Sequence, residues 1–141
     1  ILVGAETVVR DNPSLTIRRV ETDRQPLRIV IDPHARIPSS STVLNDAHET
    51  LHMTTTFRSL ETLLNQLGDR DIHRLLVEGG PTTVHAFLDA GLVDELYLVK
   101  SAVTHTHPVP SNLDASRLEN AGLSHASNEH WGEETVEYWT R

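Results

Sequence analysis

The chain has no cysteine among its 141 residues. That excludes a disulfide framework and any zinc site built on thiolates. It also excludes a zinc deaminase centre with its Pro-Cys-x-x-Cys ligands. No apolar run approaches the roughly 20 residues of a membrane span. Positive charge is scarce as well: 12 Lys and Arg against 20 Asp and Glu leave a net charge of −8. That sign argues against nucleic acid and against an anionic membrane as partners. Internal repeats, low-complexity stretches, a signal peptide and a Ser-His-Asp or Cys-His signature are all absent. The length suits one domain with a real core.

The most informative stretch that is present is Val77-Glu78-Gly79-Gly80-Pro81-Thr82-Thr83. Before it, Leu75-Leu76-Val77 reads as a short buried strand. After it, Val84, Phe87, Leu88 and Leu92 recur at helical spacing. Pro81 suits a first helical turn, where a missing N–H costs nothing. The segment predicts strand, glycine turn, helix. Glycines let a ligand approach the backbone, and a helix N-terminus offers N–H groups to a phosphate. An ordinary tight turn would have the same sequence, so the rest of the chain must decide.

The remaining pattern alternates. Strands are predicted at Ile1–Val3, Leu27–Ile31, Thr50–Thr54, Ile72–Val77 and Glu95–Val103. Helices are predicted at Glu6–Arg10, after a cap at Thr56 or Ser59 through Leu67, and at Thr82–Ala90. Asp11-Asn12-Pro13 is a turn, residues 33–49 a loop with a turn near Thr42–Leu44, and residues 104–122 irregular. Leu123–Asn128 and Glu134–Thr140 form a last antiparallel pair around Trp131-Gly132. Strands alternating with helices make the class α/β. The strands ending at Ile31 and Val77 are expected to be parallel neighbours, with Asp32 and Glu78 at one edge.

The run Ile1-Leu2-Val3-Gly4-Ala5-Glu6-Thr7-Val8-Val9-Arg10-Asp11-Asn12-Pro13-Ser14-Leu15-Thr16-Ile17-Arg18 resembles a family block ILVGAGTV-x-x-D-(D/N)-P-x-L-T-x-R. Pro26-Leu27-Arg28-Ile29-Val30-Ile31-Asp32 resembles its central strand. Leu76-Val77-Glu78-Gly79-Gly80-Pro81-Thr82, with Ala90-Gly91-Leu92-Val93-Asp94-Glu95-Leu96, resembles a further block. The three stand in order over residues 1–103. The family is the pyrimidine reductase domain of the bifunctional deaminase-reductase of bacterial riboflavin biosynthesis. The resemblance implies a dihydrofolate reductase-like fold: a mixed, mostly parallel sheet flanked by helices, with the antiparallel pair at the C-terminus. It implies one reductase-like domain over residues 1–141 that lacks an N-terminal strand and helix.

The same resemblance implies NADPH as cofactor and reduction of 5-amino-6-(5-phosphoribosylamino)uracil to its ribitylamino product, in a cytoplasmic homodimer. Other readings are a pterin-, folate-like or other pyrimidine reductase, or a non-catalytic nucleotide-binding relative. By resemblance Thr7 and Asp11, four apart on one helix, contact the cofactor, and Gly80, Pro81, Thr82, Thr83, Val84, His85 and Ala86 cradle its pyrophosphate. Asp32, placed at the same edge, is a further expected cofactor contact. Leu15, Arg18 and Glu78 meet the phosphorylated pyrimidine: Arg18 can fork onto a phosphate, and Glu78 can accept N–H donors from the ring. No side chain is assigned as catalytic, because hydride transfer needs mainly positioning of two ligands.

Three departures stand out. Glu6 replaces a family glycine beside a phosphate-bearing cofactor. His85 stands where the family has a small or apolar residue. The segment Ser101–Pro108 replaces a family Ala-Pro and glycine-rich run. His105 and His107 share a strand-face spacing, but no third ligand follows and no metal is expected. Asp94-Glu95, pointing to opposite faces, reads as structural. Dimer formation is expected partly because a strand at Ile1 would lie at a sheet edge.

Overall fold

The computed structural model describes residues 1–54, 59–101 and 111–141. His105, His107 and Thr56 lie outside the described residues. The chain forms two compact units, Ile1–Val84 and His85–Arg141.

The first unit is built on a parallel sheet. Its strands are β1 (Leu2–Gly4), β2 (Arg28–Ile31) and β3 (Thr50–Met53), in the order β1-β2-β3. Successive residues alternate across the pleat, and the register pairs Leu2 with Ile29 and Val3 with Val30. One face joins the cluster of Val3, Ala5, Val8, Val30, Ile37 and Val43. Ala5 and Val8 come from α1 (Ala5–Asp11), which follows β1 without a loop. A short α2 (Thr42–Asn45) supplies Val43. In α3 (Leu60–Gly68), Leu63 and Leu67 are buried one turn apart. Its cap is Ser59, whose hydroxyl accepts from Thr62 N–H as the sequence predicts.

The strand expected over Ile72–Val77 reduces to one parallel bridge between Leu2 and Val77. Leu2 N–H donates to Leu76 O at 2.8 Å, and Glu78 N–H donates to Leu2 O at 2.9 Å. The run is less buried than its composition suggests, with Leu76 58% exposed. The bridge corrects the expected neighbours. β1 lies between β2 and Val77, so Ile31 and Val77 are not adjacent, although both segments run parallel to β1. It also removes β1 from the edge, since Leu2 bonds on both sides.

α4 (Pro81–Asp89) begins at the predicted proline and crosses the boundary between the units. The second unit holds an antiparallel sheet of β4 (Glu95–Lys100), β5 (Ser124–Trp131) and β6 (Glu134–Thr140), ordered β4-β6-β5. The predicted terminal pair is therefore joined by a third strand. Tyr97 stacks on Tyr138 at 4.8 Å, and His125 meets Trp139 edge-on at 5.2 Å. The stretch read as irregular contains α5 (Ala115–Asn120). Asp114 caps it through Arg117 N–H at 2.8 Å. Gly122, at φ +85°, stops it in the left-handed conformation that glycine adopts freely.

Candidate functional site

Two connections leave the carboxyl edge of the parallel sheet, a direct strand-to-helix junction and a glycine loop. The β1–α1 junction turns at Gly4, in extended backbone at φ −83° and ψ 160°. α1 then carries Glu6, Thr7, Arg10 and Asp11. The glycine loop is Glu78-Gly79-Gly80, which leads into the first turn of α4. Gly80 O accepts from Thr83 N–H and Val84 N–H. Between the two connections lies a cleft of about 440 Å³ lined by Glu6, Thr7, Arg10, Asp11, Glu78, Gly79 and Gly80. A larger cavity of about 600 Å³ lies at the opposite, N-terminal edge among residues such as Leu27, Glu49 and Ile72. Open α/β sheets hold ligands at the carboxyl ends of their strands, so the smaller cleft is the candidate.

The glycines differ in what surrounds them. A Cβ on Gly4 would come within 2.7 Å of Thr83 Oγ1, and one on Gly79 within 2.9 Å of Thr83 Cβ. Those two glycines let Thr83 lock the α4 turn against β1 and its own loop. A Cβ on Gly80 would meet nothing within 4 Å, and Gly80 is not in the left-handed region. The fold does not itself require glycine there. The position is a bare piece of backbone at a helix N-terminus, on the cleft wall, and it fits a pyrophosphate.

Four residues expected at the site, Thr7, Asp11, Glu78 and Gly80, line this cleft together. Pro81, Thr82, Thr83 and Val84 form the helical turn that follows. His85 and Ala86 fall in the second unit, where His85 Nε2 meets Ser111 O at 2.7 Å.

Asp32 is corrected. It is wholly buried, and its carboxylate accepts from Arg36 N–H at 2.9 Å and Ile37 N–H at 3.0 Å, and bonds His52 Nε2 at 3.0 Å. Burial pushes its pKa up, but these three hydrogen bonds outweigh burial and hold it below the usual value. The side chain braces its own loop and has no surface to offer a cofactor.

Leu15 and Arg18 do not line the cleft. Leu15, at φ +52°, packs against the Val3–Val43 cluster. Arg18 is exposed, with no polar partner among the described residues.

The cleft holds two further charged groups: Glu6, which the family pattern puts beside the cofactor, and Arg10, which the sequence did not single out. Glu6 lines it while pairing with Arg36 Nη1 at 3.5 Å, an exposed ion pair that offsets part of its charge. Arg10 is the single cation among the described residues that line the cleft. Its signal was its position three residues after Thr7, which puts both on one helical face.

Comparison with known proteins bears on the family and the fold. Residues 1–104 match the family model described as the RibD C-terminal domain. The riboflavin biosynthesis protein RibD of Mycobacterium tuberculosis is 35% identical over 97% of this chain and 38% of its own length. A 2,5-diamino-6-ribosylamino-4(3H)-pyrimidinone 5′-phosphate reductase of Methanothermobacter thermautotrophicus is 34% identical over 68% of this chain and 56% of its own. Among solved structures, a deaminase/5-amino-6-(5-phosphoribosylamino)uracil reductase of Thermotoga maritima superposes with a TM-score of 0.80 at 24% identity. That match covers 99% of this chain and 44% of that one. The chain thus spans between 38% and 56% of these relatives' lengths. With its mixed α/β fold and the matched residues, the chain belongs to the RibD C-terminal domain family.

Proposed function

We propose that the polypeptide carrying this chain is a riboflavin biosynthesis reductase that uses NADPH to reduce 5-amino-6-(5-phosphoribosylamino)uracil to the ribitylamino product. The observation that carries this reading is the cleft in which Thr7 and Asp11 of α1 face Glu78 and Gly80 at the carboxyl edge of the sheet. The family and its named reductase relatives agree with it.

Gly80, Pro81, Thr82, Thr83 and Val84 would hold the cofactor pyrophosphate at the start of α4, where Gly80 offers backbone unscreened by a side chain. Thr7 and Asp11 of α1 would contact the cofactor from the facing wall of the cleft. NADPH bound there would supply the hydride for C1′ of the ring-opened, imine-like sugar, with water supplying the proton that the nitrogen takes up. Glu78 accepts N–H donors of the aminopyrimidine and fixes its orientation. Arg18, which lies outside the lining of the free cleft, would fork onto the 5′-phosphate, and Leu15 on the same loop would meet the same pyrimidine. The chain's part in the reaction is orientation, and no nucleophile is required. The reading also makes the protein a cytoplasmic homodimer. Among the described residues no helix is long and apolar enough to cross a membrane. Exposed Tyr97 and Val99 on β4 give a second copy an apolar surface to meet.

Calorimetric titration of the intact polypeptide tests the assignment. NADPH binds, and the phosphorylated pyrimidine binds to the NADPH complex. Because one relative's name specifies a diaminopyrimidinone 5′-phosphate, that compound is titrated in parallel, and the tighter of the two is the substrate. Absence of binding by NADPH would refute the reading.

A further inference from the structure

The loop from Asn12 to Arg18 carries the two side chains proposed to meet the pyrimidine, yet it contains no regular structure. Four hydrogen bonds made through side chains tie it to the rest of the unit. Asn12 Oδ1 accepts from Thr42 N–H at 2.8 Å. Ile17 exchanges two bonds with the Gln25 carboxamide on the surface. Between them, Ser14 O accepts from Arg28 Nη1 at 2.8 Å.

Arg28 sits in β2 with 0% exposure, where an unpaired guanidinium would be prohibitive. Its charge is met by Asp46, at 2.6 Å from Nη1 and 2.5 Å from Nη2. The remaining donors go to Val43 O at 3.1 Å, His48 O at 2.5 Å and Glu49 O at 3.4 Å. Apart from Ser14, all these partners lie between residues 43 and 49. They suffice to explain how Arg28 fastens that segment to the sheet. The bond to Ser14 is the one arm that reaches the pyrimidine loop.

That arm acts on a particular peptide plane. The carbonyl of Ser14 and the N–H of Leu15 belong to the same peptide unit. Leu15 stands at φ +52°, a left-handed conformation uncommon for a residue with a branched side chain. Such a conformation persists only where its surroundings over-determine it. Packing of Leu15 on the core holds one side of the residue, and the Arg28 bond holds the other.

We infer that Arg28 is a positioning residue for substrate: by fixing the Ser14–Leu15 peptide it sets the course of the loop toward Arg18. This rests on the proposed assignment of Leu15 and Arg18 to the pyrimidine. Arg28 touches no ligand itself. Asp46 keeps the guanidinium in place, and its carboxyl, hydrogen-bonded by Arg28, is held down at about 2.

The test is Arg28→Lys in the intact polypeptide. Lysine keeps the charge beside Asp46 but replaces a rigid fork of five donors by a compact ammonium. The pyrimidine KM should rise about tenfold or more, with kcat and the NADPH dissociation constant within about twofold. Amide exchange at residues 15–18 should accelerate, while β1 and β2 stay protected. Folded protein with unchanged KM and exchange overturns the proposal. So does equal weakening of both ligands, which would make Arg28 a general structural residue. If Arg28→Lys fails to fold, Asp46→Asn takes its place with the same pattern in smaller measure, and failure of both to fold also overturns it. If the unaltered protein binds neither ligand, the functional assignment falls. The exchange measurement then still decides whether Arg28 holds the loop.

Discussion

Replacing Gly80 by valine separates a glycine kept for the ligand from one kept for the fold. At Gly80 a new Cβ meets no heavy atom within 4 Å, and the backbone is outside the left-handed region. The fold should therefore lose little. Gly80 accepts the first bonds of α4 through its carbonyl, and valine is a poorer cap than glycine by about 1 kcal/mol. Lower entropy of the unfolded chain returns about half of that or more. The ligand should lose much more, because the side chain enters the space where pyrophosphate meets bare backbone. NADPH affinity is expected to fall more than about tenfold, or 1.4 kcal/mol. Gly79→Ala is the internal contrast. Its methyl would lie 2.9 Å from Thr83 Cβ, the root of a side chain that cannot rotate away. Overpacking of that kind costs roughly 1–3 kcal/mol of stability. Paired thermal melts and calorimetric titrations of both variants read the two effects. A Gly80→Val protein that binds NADPH like the unaltered one, or that melts as early as Gly79→Ala, would refute the reasoning.

Other outcomes follow from the same geometry. Arg18→Ala should weaken the phosphorylated pyrimidine by about 1.5–3 kcal/mol, the usual worth of a hydrogen bond to a charged group, and leave NADPH titrations unchanged. Asp32 and Asp46 both have folded pKa values below the ordinary carboxylate value, so both stabilise the fold at neutral pH. That contribution is lost as pH falls below the ordinary value and, for Asp46, through about 2. At about pH 3 the unaltered protein should take up about three-quarters of a proton more on unfolding than Asp46→Asn, read from denaturant midpoints against pH. Sedimentation velocity should show a dimer, and a monomer at high concentration would contradict that part of the reading.

Much of this was legible because local chemistry and tertiary role coincide. Pro81 at a first helical turn, Ser59 as a cap and the β-branched run Ile29–Ile31 are each decided by a few neighbouring residues. Thr7 and Asp11 are four apart, and a helix alone brings them to one face. What the sequence concealed depends on distant partners. Asp32 looks like a strand-end acid facing a ligand until His52 and the turn at Arg36–Ile37 are seen closing over it. Arg28 looks like a charge in an apolar strand, and only the fold supplies Asp46 and four carbonyls. The place of β1 beside Val77 was hidden because three residues carry no signal of what lies on either side. α5 was missed although its signals, Asp114 before it and Gly122 after it, stand in the sequence, because six polar-rich residues show little periodicity.

The most direct test of the central claim is NADPH oxidation by the intact polypeptide, followed with and without the phosphoribosylaminopyrimidine. The account predicts substrate-dependent oxidation with the ribitylamino compound as product, abolished or strongly reduced by Gly80→Val in a protein that remains folded. Folded, NADPH-binding protein that oxidises no cofactor with either pyrimidine would contradict it.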